Sequence, residues 1–242
     1  MSEKREIIIE PTRRYCRTIP WGIWEAVREF LQNAIDEMTE LKKTNGRYVV
    51  ERLPIRFDVE SDRVVIEDYG KGLSVEAVQL LGYSIKKPLS IGRFGEGLKV
   101  ASGVLLDKGC SVKIESVHGT LIPKFVKVDG EEVLRFDYYP ELKIPTGTRV
   151  TIEKPGIKRE IPPYALPCGN IILKVKYTID VEIGGYVEMV HVENEIRDFT
   201  TVDGKGCIWY RGLLMQTKPA LLSYNIWSEI PSEAYGLSLI HI

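Results

Sequence analysis

From Trp21 to about Lys43 apolar residues recur three and four positions apart, at Trp24, Val27, Leu31, Ala34, Ile35, Met38 and Leu41. That period predicts an amphipathic helix with one face on a core, and Asn45-Gly46 supplies a left-handed stop. Ahead of it, Glu6 to Glu10 reads as a short β-branched strand, followed by an arginine-rich connection from Pro11 to Pro20. Ile55 to Glu60 and Val64 to Asp68 alternate as two strands around Ser61-Asp62, and Ser74 is placed to cap a second helix running through Leu81. Gly82 to Gly97 is glycine-rich and aperiodic, which predicts a long loop entering a helix at about Leu98.

Beyond that helix the period falls to two. Val112 to Val117, Phe125 to Val128, Val133 to Tyr138 and Arg149 to Glu153 read as strands, with Asp129-Gly130 as a hairpin turn. Pro155 to Pro167 is the best linker. After it Ile171 to Tyr177, Asp180 to Ile183, Tyr186 to Val192, Cys207 to Tyr210 and Leu213 to Thr217 predict a further β-rich region. The expected class is α+β, with a few helices on one face of a mostly antiparallel sheet. The expected domains are residues 1–154, a β-rich and incomplete second region over 155–236, and a non-native tail over 237–242. The tail, Leu237 to Ile242, matches one translated frame of a transposase sequencing-adapter end, so the natural chain is expected to continue and His241 is given no role.

Composition narrows the classes of function. The chain of 242 residues carries 33 Lys+Arg against 34 Asp+Glu, a net charge of -1, so it lacks the basic excess of a nucleic-acid coat. Cys16, Cys110, Cys168 and Cys207 are widely separated and contain no Cys-x-x-Cys pair, which points to reduced, mostly buried thiols instead of a zinc cluster or disulfide frame. No apolar run approaches a membrane span and no signal peptide opens the chain, so the expected setting is cytoplasmic, with no membrane partner.

Three features carry chemistry. On the first long helix Glu29, Asn33 and Asp36 stand at i, i+4 and i+7. At about 100° per residue they fall within about 60° of one another, opposite the apolar stripe. Asp68 ends a strand and begins Asp68-x-Gly70-x-Gly72, in which the glycines let the backbone turn sharply toward a flat ligand. Gly92-Arg93-Phe94-Gly95-Glu96-Gly97-Leu98-Lys99 places exposed backbone N–H groups at a helix start, suited to polyphosphate, with Lys99 as a point charge. It is neither a Walker A loop nor a dinucleotide fingerprint. Gly147-Thr148 opens a later strand.

In this order and spacing the segments resemble the motifs of the GHKL superfamily, which includes DNA gyrase, heat-shock chaperones, histidine kinases and MutL-type repair proteins. The likeness covers residues 5–154: Glu29-x-x-x-Asn33-x-x-Asp36 corresponds to the N box, Asp68-x-Gly70-x-Gly72 and Gly92-x-x-Gly95-x-Gly97 to the glycine boxes, and Gly147-Thr148 to the last motif. Tyr69 departs from the small polar residue common at its position. The resemblance implies a Bergerat-type two-layer sandwich followed by a partial transducer-like region. It further implies that Asp68 accepts from the adenine amino group with Gly72 and Thr148 assisting. Asn33 would bind Mg²⁺, Gly92 to Lys99 would form a lid over the phosphates, and Glu29 would activate water. Asp36, Gly70, Phe94, Glu96 and Leu98 complete the nucleotide-binding set.

Histidine kinases carry Asn at the position of Glu29 and a phosphoacceptor His upstream, whereas no His precedes His118 here. The resemblance therefore implies a slow, Mg-dependent ATPase with lid closure and an ATP-dependent homodimer, chaperone-like in its cycle. Two alternatives stay open: the ATPase end of a topoisomerase- or repair-like DNA clamp, and a nucleotide-gated binding module with little turnover. The client, whether DNA or protein, is not specified by the sequence.

Overall fold

The computed structural model describes residues 4–79 and 96–228. In chain order the first elements are β1 (Arg5–Thr12), α1 (Arg13–Thr18), α2 (Ile23–Glu37), β2 (Thr39–Thr44), β3 (Arg47–Arg52), β4 (Arg56–Val59), β5 (Arg63–Asp68) and α3 (Val75–Gln79). There follow α4 (Gly97–Asp107), β6 (Ser111–Ser116), β7 (Gly119–Val128), β8 (Glu131–Tyr139) and β9 (Thr148–Glu153). After a short 3-10 turn at Ile157–Glu160 come β10 (Ile171–Ile183), β11 (Tyr186–Arg197), β12 (Lys205–Tyr210), β13 (Leu213–Pro219) and β14 (Ser223–Ile226). The class is α+β with mostly antiparallel strands. No described helix is long and apolar enough to cross a membrane.

The chain divides into two compact units, Met1–Glu40 with Arg52–Pro162, and Leu41–Glu51 with Pro163–Ile242. The first is built on a seven-stranded sheet of order β1-β8-β7-β6-β9-β5-β4 in which neighbouring strands run antiparallel. Its alternation is two-sided. Val64 and Ile66 of β5 lie opposite Ile152 and Val150 of β9, which lie opposite Val112 and Ile114 of β6, and all six are buried. The intervening positions are mostly polar, with Glu67 bound to Arg149 at 2.7 Å and Lys113 to Glu115 at 2.7 Å, although Val65 and Glu67 are themselves buried. Helices α2 and α4 pack together, α2 against β5 and α4 against β6, β7 and β1.

Helix α2 starts at Gly22, whose N–H donates to the Glu25 carboxylate at 2.8 Å, and it buries Ala26, Val27, Phe30, Leu31, Ala34 and Ile35. It ends at Glu37, shorter than its hydrophobic period predicts. Thr39 donates its hydroxyl to the Ile35 carbonyl at 2.7 Å, and the chain then extends into β2. Asn45 and Gly46, with φ of 50° and 78°, form the tight turn of the β2–β3 hairpin and not a helix stop. The arginine-rich connection likewise contains helix α1, whose N-cap Thr12 accepts from the Tyr15 N–H at 3.1 Å. Where the sequence predicts separate strands at 171–177 and 180–183, one continuous strand runs.

The second unit owes two of its strands to that early hairpin. Its sheet has the order β13-β12-β14-β11-β3-β2, with β10 paired to β11. Strands β3 and β11 are parallel through Tyr48–Val190 and Val49–His191. Trp209 is its fully buried centre: the indole N–H donates to the Tyr164 carbonyl at 2.9 Å and the ring lies 6.1 Å from that of Phe199. Loop ends are closed by amide side chains, Asn225 accepting from the Gly212 N–H at 2.9 Å and Asn194 from the Trp227 N–H at 2.7 Å.

The α1–α4 contact in the first unit gives a test of packing. A Cβ on Gly103 of α4 would collide with the Cys16 Sγ of α1. Gly103→Ala is expected to lower stability by about 1–3 kcal/mol despite its better helix propensity. Adding Cys16→Ala should recover most of that loss in urea unfolding, and purely additive effects would show that the two helices are not in register at this contact.

Candidate functional site

The site grows from the register of three strands. Beyond Ile114, Val150 and Ile66, the next residues on the same buried face are Ser116, Thr148 and Asp68, with Thr148 directly opposite both of the others. The apolar row thus ends in a polar one. Asp68 is 6% exposed, and one carboxylate oxygen, Oδ1, accepts from the Gly70 N–H at 3.0 Å and the Thr148 N–H at 3.3 Å. Burial pushes its pKa up to about 6, the two backbone N–H groups oppose that rise, and the nearby Glu37 carboxylate adds to it.

The loop after Asp68 is held by the turn that precedes Thr148. Gly147 donates to the Gly70 carbonyl at 3.1 Å and accepts from the Val117 N–H at 3.1 Å, while the Thr146 hydroxyl donates to the same Gly70 carbonyl at 3.2 Å. Gly147 has φ of 69°, and a Cβ there would strike the Asp68 carbonyl. Gly72 has φ of 81°, and its Cβ would lie 2.9 Å from the Gly147 carbonyl oxygen. These two glycines are required by sterics, since only a residue without Cβ allows two backbones to approach this closely. Tyr69, between Asp68 and Gly70, is 47% exposed.

Helix α2 brings three more residues. Glu29 and Asp36 are buried and Asn33 is half-buried on the same side of the helix. A Cβ on Gly97, the first residue of α4, would collide with the Glu29 carboxylate, so that carboxylate sits against the positive end of α4. Glu96 occupies the N-cap position of α4 and Leu98 its first turn. Lys99 is only 1% exposed, and burial lowers its pKa while Glu96 opposes the fall. Gly92, Phe94 and Gly95, and most of the predicted 82–97 loop, lie outside the described residues, as does the tail at 237–242.

Two residues near these positions carry no signal in the glycine motifs. Glu37 accepts from the Lys71 N–H at 3.0 Å, and a Cβ on Gly70 would collide with its side chain. Its place as the last residue of α2, directly after Asp36, is the one local hint. Arg28 is 3% exposed beside Glu29; burial lowers its pKa, with Glu29 and Glu25 opposing. Among the described residues no group of three or more His, Cys, Asp or Glu forms a metal cluster. An open cleft of about 480 Å³ lined by Glu60, Asp62, Arg63, Glu153 and Lys154 lies at the far end of β5 from Asp68.

No family model matches the chain. A protein of Mycoplasma pneumoniae, described only as uncharacterized, is 34% identical over 140 residues, covering 55% of each chain. The chain thus spans about half the length of that relative. Two structures of the ATPase region of Saccharomyces cerevisiae topoisomerase II align at low similarity. One gives a TM-score of 0.30 and 16% identity over 57% of this chain and 39% of that one. The other, bound to ICRF-187 (dexrazoxane), gives 0.34 and 13% over 79% and 62%. At these scores neither alignment bears on the reading of the site.

The closeness of Gly147 to Asp68 predicts a large effect from a single methyl group. Gly147→Ala combines a left-handed φ with a clash against backbone and should cost about 3 kcal/mol or more in urea unfolding. Gly46→Ala, with a similar φ but open space, should cost clearly less.

Proposed function

We propose that the first unit is a nucleotide-binding module of GHKL type that binds ATP with Mg²⁺ and hydrolyses it slowly. The observation that carries this reading is the buried Asp68 carboxylate, held by two backbone N–H groups at the end of an apolar row. Oδ1 takes those two donors and the Thr148 hydroxyl also hydrogen-bonds the carboxylate; in this reading Oδ2 is the oxygen that would accept from an adenine amino group. A guanine would present a carbonyl there instead, leaving a buried carboxylate facing an acceptor. Thr148 and Gly72 sit beside Asp68 as the adenine-side wall, and Gly70 holds the loop.

The phosphate end of the proposed site is where Glu29 meets α4. Gly97, Leu98 and Lys99 form the first turn of that helix, where the Lys99 N–H already donates to the Glu96 carbonyl at 3.0 Å and the N–H groups of Gly97 and Leu98 would favour an anion. Gly92, Phe94, Gly95 and Glu96 would complete the cover over the phosphates. Asn33, half-buried between two buried carboxylates, offers the neutral oxygen that Mg²⁺ accepts when phosphates fill other positions, and the donor set fits that ion. Bound there, the ion would offset phosphate charge. Glu29, one turn away on the same helix face, would orient and deprotonate the attacking water, with Asp36 supporting the polar face. A two-layer arrangement of this unit and nucleotide-dependent pairing of two copies belong to the same proposal.

Two measurements test it. Asp68→Asn would turn its NH₂ toward the adenine amino group, donor against donor, because the oxygen stays with the Gly70 and Thr148 N–H groups. ATP binding by calorimetry should be lost, and an unchanged dissociation constant would remove the adenine assignment. Glu29→Ala should leave binding near wild type while turnover falls by about 10² or more. Binding by both proteins with no turnover in either would favour a nucleotide-gated binding module.

Protonation supplies a further prediction. Asp68 has its pKa raised from 3.8 to about 6 on folding, so its contribution to stability is fully present below 3.8 and is lost as pH rises through about 6. The neutral amide of the Asp68→Asn variant should therefore stabilise the ligand-free protein by about 1–3 kcal/mol at pH 8 and by nearly nothing at pH 4. ATP affinity of the unaltered protein should run the other way, steady above pH 7 and weakening toward tenfold per unit below about 6 as the acceptor is protonated. A flat binding profile from pH 5 to 8 would show that no carboxylate of this kind receives the base.

A further inference from the structure

Strand β10 presents a long open edge. It is 13 residues long and, among the described residues, pairs with β11 alone, on one side. It contains no proline, and its ladder shifts only near its start, between Ile171 and Leu173. Several apolar side chains of this hairpin are bare, including Leu173 at 51%, Tyr177 at 45%, Tyr186 at 75% and Met189 at 66% exposure. Edges of this length are normally shortened, bulged or charged against further pairing.

The charges on β10 are arranged differently from a simple repelling edge. Its polar face reads Lys174, Lys176, Thr178, Asp180, Glu182, basic in the first half and acidic in the second. Across β11 the basic half is answered: Lys174 bonds Glu193 at 2.8 Å, and Lys176 stands opposite Glu193. The acidic half stands directly opposite apolar residues, Asp180 opposite Met189 and Glu182 opposite Val187, with His191, opposite Thr178, as the diagonal neighbour of Asp180. Asp180 and Glu182 form no ion pair among the described residues.

We propose that β10 pairs with β10 of a second copy of this chain, antiparallel about a two-fold axis at Thr178. In that register Lys174 faces the partner's Glu182 and Lys176 faces the partner's Asp180, each pair occurring twice. On the opposite face Leu173 meets the partner's Ile183, Val175 meets the partner's Val181, and Tyr177 meets the partner's Ile179. Shifting the register by two residues in either direction breaks one lysine–carboxylate match, and parallel pairing stacks like on like. The arrangement is isologous, so pairing through this edge uses the open side of β10 in both copies and closes at two. This inference uses residues of the second unit alone and stands apart from the nucleotide reading.

Sedimentation of the full chain from about 1 to 200 µM without nucleotide tests it, with an expected reversible dimer of Kd on the order of 10 µM. The double variant D180K/E182K replaces four attractive pairs by four repulsive ones and should weaken the dimer roughly 100-fold. Those lysines face Met189 and Val187 in their own hairpin, so the fold is not asked to absorb a new like-charge contact there. K174E/K176E should weaken self-association similarly, and mixing the two variants should restore a heterodimer. Thr178→Cys should cross-link to itself under mild oxidation, since residues directly opposite across antiparallel strands lie within disulfide reach. A chain that stays monomeric over the whole range overturns the proposal, leaving the edge to another partner. So does a dimer indifferent to both charge variants, or one in which the Thr178→Cys variant fails to cross-link.

Discussion

Everything in the candidate site depends on the pairing of β5 with β9 and of β9 with β6. Strand alternation decides that Val64, Ile66 and Asp68 share a face, and the register decides that Asp68 ends beside Thr148 and Ser116 and not beside solvent. A shift of one residue would turn the Asp68 carboxylate to the face that carries Arg149 and bring Glu67 into the buried row in its place. The correct register also creates the conflict that the local chemistry must resolve, a buried carboxylate at the end of a hydrophobic row. Two backbone N–H groups stabilise its anion in part, and the remaining cost appears as a pKa near 6. Gly147 and Gly72 are the steric counterpart, since their missing Cβ atoms let the two loops close around that group.

Helix α2 serves three different neighbours along one length. Its apolar side fills the core of the first unit, Glu29 lies against the first residue of α4, and Glu37 at its last residue receives the loop after Asp68. These demands explain an early end better than helix propensity does. Extending the helix past Glu37 would carry Thr39 to Thr44 away from the strand they form, and the Thr39 hydroxyl closes the last turn. The chain then gives two strands to the sheet of the second unit before returning at Arg52. The second unit is consequently discontinuous, and residues from Pro163 onward lack two strands of its sheet.

The two units also manage exposed polarity in contrasting ways. In the first, the charged face of the sheet is laced by ion pairs such as Glu67–Arg149, in which the buried Glu67 carboxylate is partnered by a half-buried arginine. In the second, β10 holds its charge in two opposed blocks, and among the described residues the acidic block has no ion-pair partner. Such a pattern discriminates between orientations of an approaching strand more strongly than it raises affinity, which is the usual role of charge at an interface.

The sequence by itself determined the local elements whose signals are short-range. The alternation of Val64 to Asp68, the Asp129-Gly130 turn and the shared helix face of Glu29, Asn33 and Asp36 all follow from period and turn chemistry. The likeness of Asp68-x-Gly70-x-Gly72 and Gly147-Thr148 to known motifs was likewise legible from residue types and spacing, whereas the close approach that requires Gly147 and Gly72 is tertiary. Only the tertiary structure decided that Thr148 stands against Asp68, since that contact spans 80 positions and rests on register. It also decided the place of Glu37, whose partner is a loop 34 residues away, and the end of α2. Leu41 fits a helical period as well as it fits a strand. What separates the two outcomes is the pairing of the β2–β3 hairpin with a strand some 140 residues later, as in Tyr48 with Val190, and no local period encodes a partner that distant.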